Sequence, residues 1–133
     1  MTVEDAVEIA KPQEVVYSLV RDLDRAPEWQ PSLESVDVDA GTEVRRIAGL
    51  RQEGRFFVVE DDPPRRFAIA SEGGPVSARA TFDLEPHGDG TRVAFTIEVA
   101  LHGLSRIARR LAKTAAQREV RSSLRKLKEL AEA

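Results

Sequence analysis

The sequence predicts an α+β fold: seven strands of an antiparallel sheet, a short helical insert after the first strand, and one long C-terminal helix. Three observations carry this expectation. Apolar and polar residues alternate over most of residues 33–101, the period of a half-buried strand. Helical spacing appears only directly after the first strand and from Leu104 to the end. Pro or Gly stands at nearly every change of period. At 133 residues the chain suits one domain, 1–133, which can bury roughly two thirds of the surface its unfolded form exposes.

Val3, Val7 and Ile9 alternate with Glu4 and Glu8 and give the first strand, which ends at Lys11-Pro12. Val15, Val16, Leu19, Val20 and Leu23 then recur at helical spacing, with Glu14 near the positive helix end. Pro27 and Pro31 limit any second helix in the insert to about two turns. From Leu33 the period returns to two, and "LESVDVDAGTEVRRIAGL" reads as two strands joined around Ala40-Gly41. "GRFFVVEDD" and "RRFAIAS" are two further strands. Between them "DDPP" is a turn, because Pro63 cannot donate to a ladder and Pro64 keeps its predecessor out of the helical region. Gly73-Gly74-Pro75 stops the second of these strands. The longest alternations, Val76 to Leu84 and Val93 to Leu101, flank "PHGDGT" as a hairpin with one apolar face.

The C-terminal helix carries two apolar sets. Leu104, Ile107, Ala108, Leu111 and Ala115 form one; Val120, Leu124, Leu127 and Ala131 form the other, displaced around the helix. A straight helix cannot bury both against a flat surface, so it bends or is gripped by a strongly curved sheet.

This order of elements is that of the helix-grip fold. The chain resembles the START-like (SRPBCC) superfamily through "VEIAKPQEVVYSLVRDL", "PEWQP", "DPPRRF", "FDLEPHGDGTRVAFTIEV" and "LRKLKELAE" in this order and spacing. That superfamily includes polyketide cyclase/dehydrase-like and coenzyme-Q-binding-like proteins. The resemblance implies a curved seven-stranded sheet wrapped around the last helix, with a cavity between them for a lipid, polyketide, quinone or other apolar or amphipathic molecule. The expected lining is Phe67, Ile69, Ala80, Phe82, Phe95, Ile97, Leu111, Ala112 and Ala115, in-phase apolar positions facing the helix. Ala112, Ala115 and Ala116 stand where large core side chains are expected; they either leave a void or allow close packing. One fold hosts many functions, so three readings follow. The first is binding or transport of a small hydrophobic or amphipathic ligand. The others are a polyketide aromatase/cyclase-like enzyme and a protein-interaction module without a small ligand.

An enzyme of this kind needs an acid or base inside the cavity. Asp5 is in phase with Val3, Val7 and Ile9, and Arg46, in phase with Val44 and Ala48, is the cationic partner it would need if buried. The alternative is that one of these faces is simply outside. His87 and His102 lie at strand ends, with no acid or second His at metal-ligand spacing, so neither a metal nor a cofactor is expected. No nucleophile elbow or phosphate loop is present. Trp29 is expected to wedge the insert against the sheet.

Net charge is −3, which does not favour a nucleic-acid binder. It is unevenly spread: nine Lys or Arg and three acids stand from Leu104 onward, giving +6 there and −9 in the first 103 residues. The helix and the body should therefore attract each other, with the basic face solvated rather than inserted stably in a membrane. Phe56, Phe57, Val58 and Val59 are apolar on both faces of their strand, and a second copy in a homodimer is one way to cover the outer one. There is no cysteine, no apolar run of signal-peptide length near Met1 and none of ~20 residues elsewhere. A cytoplasmic protein is the simplest expectation.

Overall fold

The computed structural model describes every residue except Ala48 and Pro75. The expected inward phase of Ala48 and the Pro75 end of the strand stop therefore lie outside the described residues. The elements run β1 (Thr2–Ile9), α1 (Gln13–Arg21), a 3-10 helix (Leu23–Glu28), β2 (Leu33–Asp37), β3 (Thr42–Ile47), β4 (Leu50–Asp62), β5 (Arg66–Gly73), β6 (Val76–His87), β7 (Gly90–Leu101) and α2 (Arg106–Glu132). One seven-stranded sheet has the order β1-β7-β6-β5-β4-β3-β2, antiparallel throughout. This is the helix-grip α+β arrangement.

The hairpins form where turn chemistry puts them. Gly41 (φ 68°) closes β2 onto β3, and Asp37 holds the turn by accepting from the Ala40 and Gly41 N–H groups. "DDPP" turns the chain between β4 and β5, with the Arg65 N–H donating to the Asp62 carbonyl at 2.8 Å. Gly90 opens β7 where the backbone of β1 passes closest, and a Cβ there would run into the Ile9 carbonyl oxygen. Beside it the buried Thr91 hydroxyl donates to the Lys11 carbonyl at 2.8 Å. One boundary differs from expectation: Leu50 opens β4, which runs for 13 residues, instead of ending the preceding strand.

The core occupies one half of the concave face. Phe67, Phe82, Leu84, Val93 and Phe95 from the sheet meet Val120, Leu124 and Leu127 of α2, with Val16, Tyr17 and Val20 of α1 closing the side. Each such side chain contributes roughly 1.5–3 kcal/mol by leaving water. Trp29, fully buried, wedges the insert onto the sheet edge-on to Phe82, at 5.6 Å and 75°.

Two patterning expectations give way. On β3 Glu43, Arg45 and Ile47 line the concave side; Arg46 also borders the cavity at its rim, but it is exposed and its guanidinium reaches Glu34 at 3.2 Å. Because side-chain period in a strand is two, Val44 shares a face with Arg46, and of the two alternatives for that face it is the outer one that holds. Two of the inward residues, Glu43 and Arg45, are charged and could be inside only because they pair with each other. On α2, Ile107 and Leu111 are 74% and 64% exposed. The inward stripe instead runs through Ala112, Ala115, Ala116 and Glu119 into Val120, Ser123, Leu124 and Leu127. It migrates around the helix by about a quarter turn at 100° per residue, following the curved sheet.

A staple ties α1 to β4. The buried Tyr17 hydroxyl donates to Asp61 Oδ1 at 2.5 Å, and Arg21 Nε reaches Asp61 Oδ2 at 2.8 Å. Burial, and then the Asp61 carboxylate, pushes the Tyr17 hydroxyl well above the usual phenol range. The Tyr17 hydrogen bond, followed by Arg21, holds Asp61 below the usual carboxylate range. A carboxylate depressed in the folded state adds stability above its unfolded pKa of about 3.9 and loses it as pH falls through the folded value. Tyr17→Phe is therefore expected to cost about 1 kcal/mol at neutral pH, with the gap to the wild type narrowing below about pH 4. Urea unfolding at stepped pH measures both; a gap that stays constant down to pH ~3 contradicts the assignment.

Candidate functional site

Beside the core, under the first half of α2, the concave face is not filled. A cavity of about 270 Å³ separates the sheet from the helix. Its presence follows from side-chain size. Ala78 and Ala80 on β6 and Ala112, Ala115 and Ala116 on α2 all line it, so at these five positions methyl groups stand where the core has Leu and Phe. Curvature of the sheet keeps the helix from closing that gap.

Of the residues expected to line the cavity, Ile69, Ala80, Phe82, Phe95 and Ile97 do so from the strands, and Ala112 and Ala115 from the helix. Their cross-strand register explains it: Ile69 faces Ala80, Ala80 faces Ile97, and Phe82 faces Phe95. Phe82 and Phe95 are tilted against each other with centroids 4.2 Å apart, forming the wall shared by cavity and core. Two expected residues are placed elsewhere. Phe67 is in the core, edge-on to Tyr17 at 6.2 Å, because α1 covers the sheet at that level. Leu111, one turn before Ala115, is on the flank of the helix that borders the cavity and is turned out to solvent, 64% exposed.

The Asp5–Arg46 pair is not formed. Asp5 faces the same side as Phe95, its cross-strand partner, yet it is exposed on the edge strand β1, where its carboxylate accepts from the Ala6 N–H at 2.8 Å. Arg46 is engaged by Glu34 near the opposite edge, on β3, with β7, β6, β5 and β4 between it and β1. His87 is exposed near Glu8 Oε1 at 3.2 Å, and His102 is exposed one residue beyond Leu101, which does line the cavity.

The chemistry in the cavity comes from residues that the sequence did not single out. Arg45 donates from Nε to Glu43 Oε2 at 3.0 Å, from one amino group to Ser32 Oγ at 3.0 Å, and from the other to Gln30 Oε1 at 2.9 Å. Glu119 accepts from the Ser32 hydroxyl at 2.7 Å and from its backbone N–H at 3.2 Å, and it lies 3.8 Å from Arg45. All five residues line the same cavity. Three elements meet here: the segment after the insert, β3, and the helix at "TAAQRE". A bulge between Leu33 and Ser35 lets β2 follow that bend. One cation therefore sits between two carboxylates, with guanidinium N–H groups and carboxylate oxygens left over to meet a guest. Further round, Gln52 lines the space and its amide donates to the Gly73 carbonyl. A half-buried arrangement of this kind persists because each member has a partner.

At its other end the cavity opens. Met1, Ile47, Gln52, Val76 and Leu101 line it and are half-buried or exposed, at the tips of the β3–β4 and β5–β6 hairpins and the end of β7. No helix is long and apolar enough to cross a membrane among the described residues.

Comparison with known proteins is consistent with this geometry. Residues 1–132 match the family described as polyketide cyclase / dehydrase and lipid transport. A crystal structure from Thermus thermophilus is 26% identical with a TM-score of 0.81, covering 98% of this chain and 97% of the other. Zhui aromatase/cyclase from a Streptomyces species is 17% identical with a TM-score of 0.79, covering 99% and 93%. A START superfamily protein from Mycobacterium smegmatis is 19% identical with a TM-score of 0.72, covering 97% and 98%. The last two likenesses speak for the fold alone. No match was found among curated proteins.

Proposed function

This chain belongs to the polyketide cyclase / dehydrase and lipid transport family, and from that premise we propose that it binds one compact amphipathic molecule between sheet and helix. The observation that carries the reading is the division of the cavity into two kinds of surface. Ile69, Ala80, Phe82, Phe95 and Ile97 give an apolar wall; Gln30, Ser32, Glu43, Arg45 and Glu119 give one polar corner. At about 270 Å³ the space is near the lower end of ligand pockets, roughly 300–1,000 Å³, which favours a molecule of one or two rings over a long two-chain lipid. Each buried ligand carbon contributes about 0.8 kcal/mol. The polar corner holds two carboxylates to one guanidinium, so a hydroxyl, ketone or amide fits it better than a second anion.

The test begins with the protein as purified. Native mass spectrometry followed by organic extraction is expected to yield a small molecule with an apolar skeleton and at least one neutral polar group; repeated absence of any guest, with no uptake from a panel of ketones and phenols, counts against the reading. Arg45→Met keeps much of the side-chain volume and removes the donors. It is expected to weaken a keto or hydroxy ligand by about tenfold, the loss of one charge-assisted hydrogen bond, and to leave an all-hydrocarbon analogue unaffected in isothermal titration.

A second reading, an aromatase/cyclase-like enzyme, is favoured by the carboxylates of Glu43 and Glu119 facing the cavity, where one could accept a proton from an activated carbon of a polyketone. Turnover of a polyketone by the wild type distinguishes the two: this reading expects it, with loss on Glu119→Gln or Glu43→Gln while binding survives, and no turnover by the wild type counts against it. Asp5, being outside the cavity, is expected to be dispensable for both. The protein-interaction reading and a homodimer would use the half-exposed Phe57, Val58 and Val59, and sedimentation equilibrium tests the latter.

A further inference from the structure

The first half of α2 presents a second surface, outside the cavity and beside its opening. Between Leu104 and Arg118 there are five cations, Arg106, Arg109, Arg110, Lys113 and Arg118, and no acid. All five are exposed, and among the described residues none forms an ion pair. The attraction expected between helix and acidic body is thus not realised as salt bridges in this half of the helix. Among these cations stand Ile107 and Leu111, 74% and 64% exposed. A merely solvated helix face has no use for two large aliphatic side chains there.

Their position adds meaning to their exposure. Leu111 adjoins Ala112, which lines the cavity, and Leu50, 74% exposed, is the cross-strand partner of the lining residue Ile47. Met1, 38% exposed, lines the opening itself. Apolar residues and unpaired cations therefore occur together near the opening, while the first 103 residues carry −9.

We propose that this rim docks on an anionic lipid surface. Ile107, Leu111 and Leu50 enter the boundary between headgroups and acyl chains, and Arg106, Arg110 and Lys113 engage the lipid phosphates, as amphipathic interfacial helices do. The acidic body is repelled by the same surface, so the charge distribution fixes which end approaches. RNA is the less suitable partner: single-strand binding relies on exposed aromatic platforms, and here the exposed apolar residues are aliphatic. Docking at this end would place the opening against the lipid, a short path for an apolar guest.

Co-sedimentation of the full chain with vesicles at about 0.1 M salt tests the proposal without any cavity ligand, so its outcome is separate from that of the binding reading. Partition is expected to be at least about tenfold higher for phosphatidylcholine vesicles containing phosphatidylglycerol than for phosphatidylcholine alone. Arg106→Ala/Arg110→Ala/Lys113→Ala is expected to abolish that preference, and Ile107→Ser/Leu111→Ser to reduce binding at least about fivefold. All five substituted side chains are exposed, and thermal unfolding checks that each variant is folded. Equal partition to both vesicles, no binding to either, insensitivity to both variants, or binding of a single-stranded RNA oligonucleotide in place of vesicles would each overturn it.

Discussion

Ala115→Phe is expected to abolish ligand uptake while leaving the protein folded and no less stable. Ala115 lines the cavity from the helix side, opposite a sheet wall that already contains Phe82 and Phe95. A benzyl group entering a space of about 270 Å³ takes the room of several ligand carbons. At about 0.8 kcal/mol per carbon, displacing three of them lowers affinity by roughly fiftyfold or more. Stability moves the other way. Filling a void recovers contacts that the lining atoms lacked, worth about 24 cal/mol per Å³, and overpacking can cancel that gain, so a change of at most about 1–2 kcal/mol in the stabilising direction is expected. Leu111→Phe is the control, one helical turn away and 64% exposed, and it should change neither property. Displacement of an apolar fluorescent probe and thermal unfolding read the two effects; wild-type binding by Ala115→Phe would refute a guest between sheet and helix.

That the same helix should be so clear as an element and so hard to orient has a physical cause. Strands β6 and β7 were legible because strict alternation over Val76 to Leu84 and Val93 to Leu101 leaves one solution for which face is buried. The two-proline turn at Pro63-Pro64 was legible because proline removes a donor and restricts its neighbour. On α2 the largest apolar side chains in the first half, Ile107 and Leu111, are the ones outside. A rule that buries the most hydrophobic face must fail where the inward face consists of alanines bordering empty space. The inward face of β3 was hidden for a related reason. Glu43, only 8% exposed, and Arg45 face inward because they satisfy each other together with Ser32 and Gln30, which lie 13 and 15 positions from Arg45, and with Glu119 on the last helix. No window of local sequence contains that network. The bulk of the apolar wall was therefore readable and the polar corner, on which selectivity would depend, was not.

The largest loss of stability from one substitution is expected at Trp29. Its ring is fully buried and sits edge-on to Phe82, which in turn leans on Phe95. Trp29→Ala removes that support and leaves a hole at the junction of insert, sheet and helix, costing about 3–5 kcal/mol, a large part of the roughly 5–15 kcal/mol that holds a domain of this size together. Trp29→Phe should behave quite differently. Trp29 Nε1 is buried with no hydrogen-bond partner among the described residues, and an unpaired buried donor costs about 1–3 kcal/mol. Removing it offsets much of the packing lost with the smaller ring, so the Phe variant is expected within about 1 kcal/mol of the wild type. The pair also reports on the cavity, because Phe82 and Phe95 form part of its wall. Ala at 29 frees Phe82 to tilt into the space beside it and should weaken ligand binding, whereas Phe at 29 keeps both rings in place and should preserve it. Denaturant unfolding of the two variants, followed by titration of whichever remains folded, decides the matter. Equal destabilisation by Phe and Ala would mean that the indole N–H is paired in solution, and that the wall is held by a hydrogen bond instead of by stacked rings.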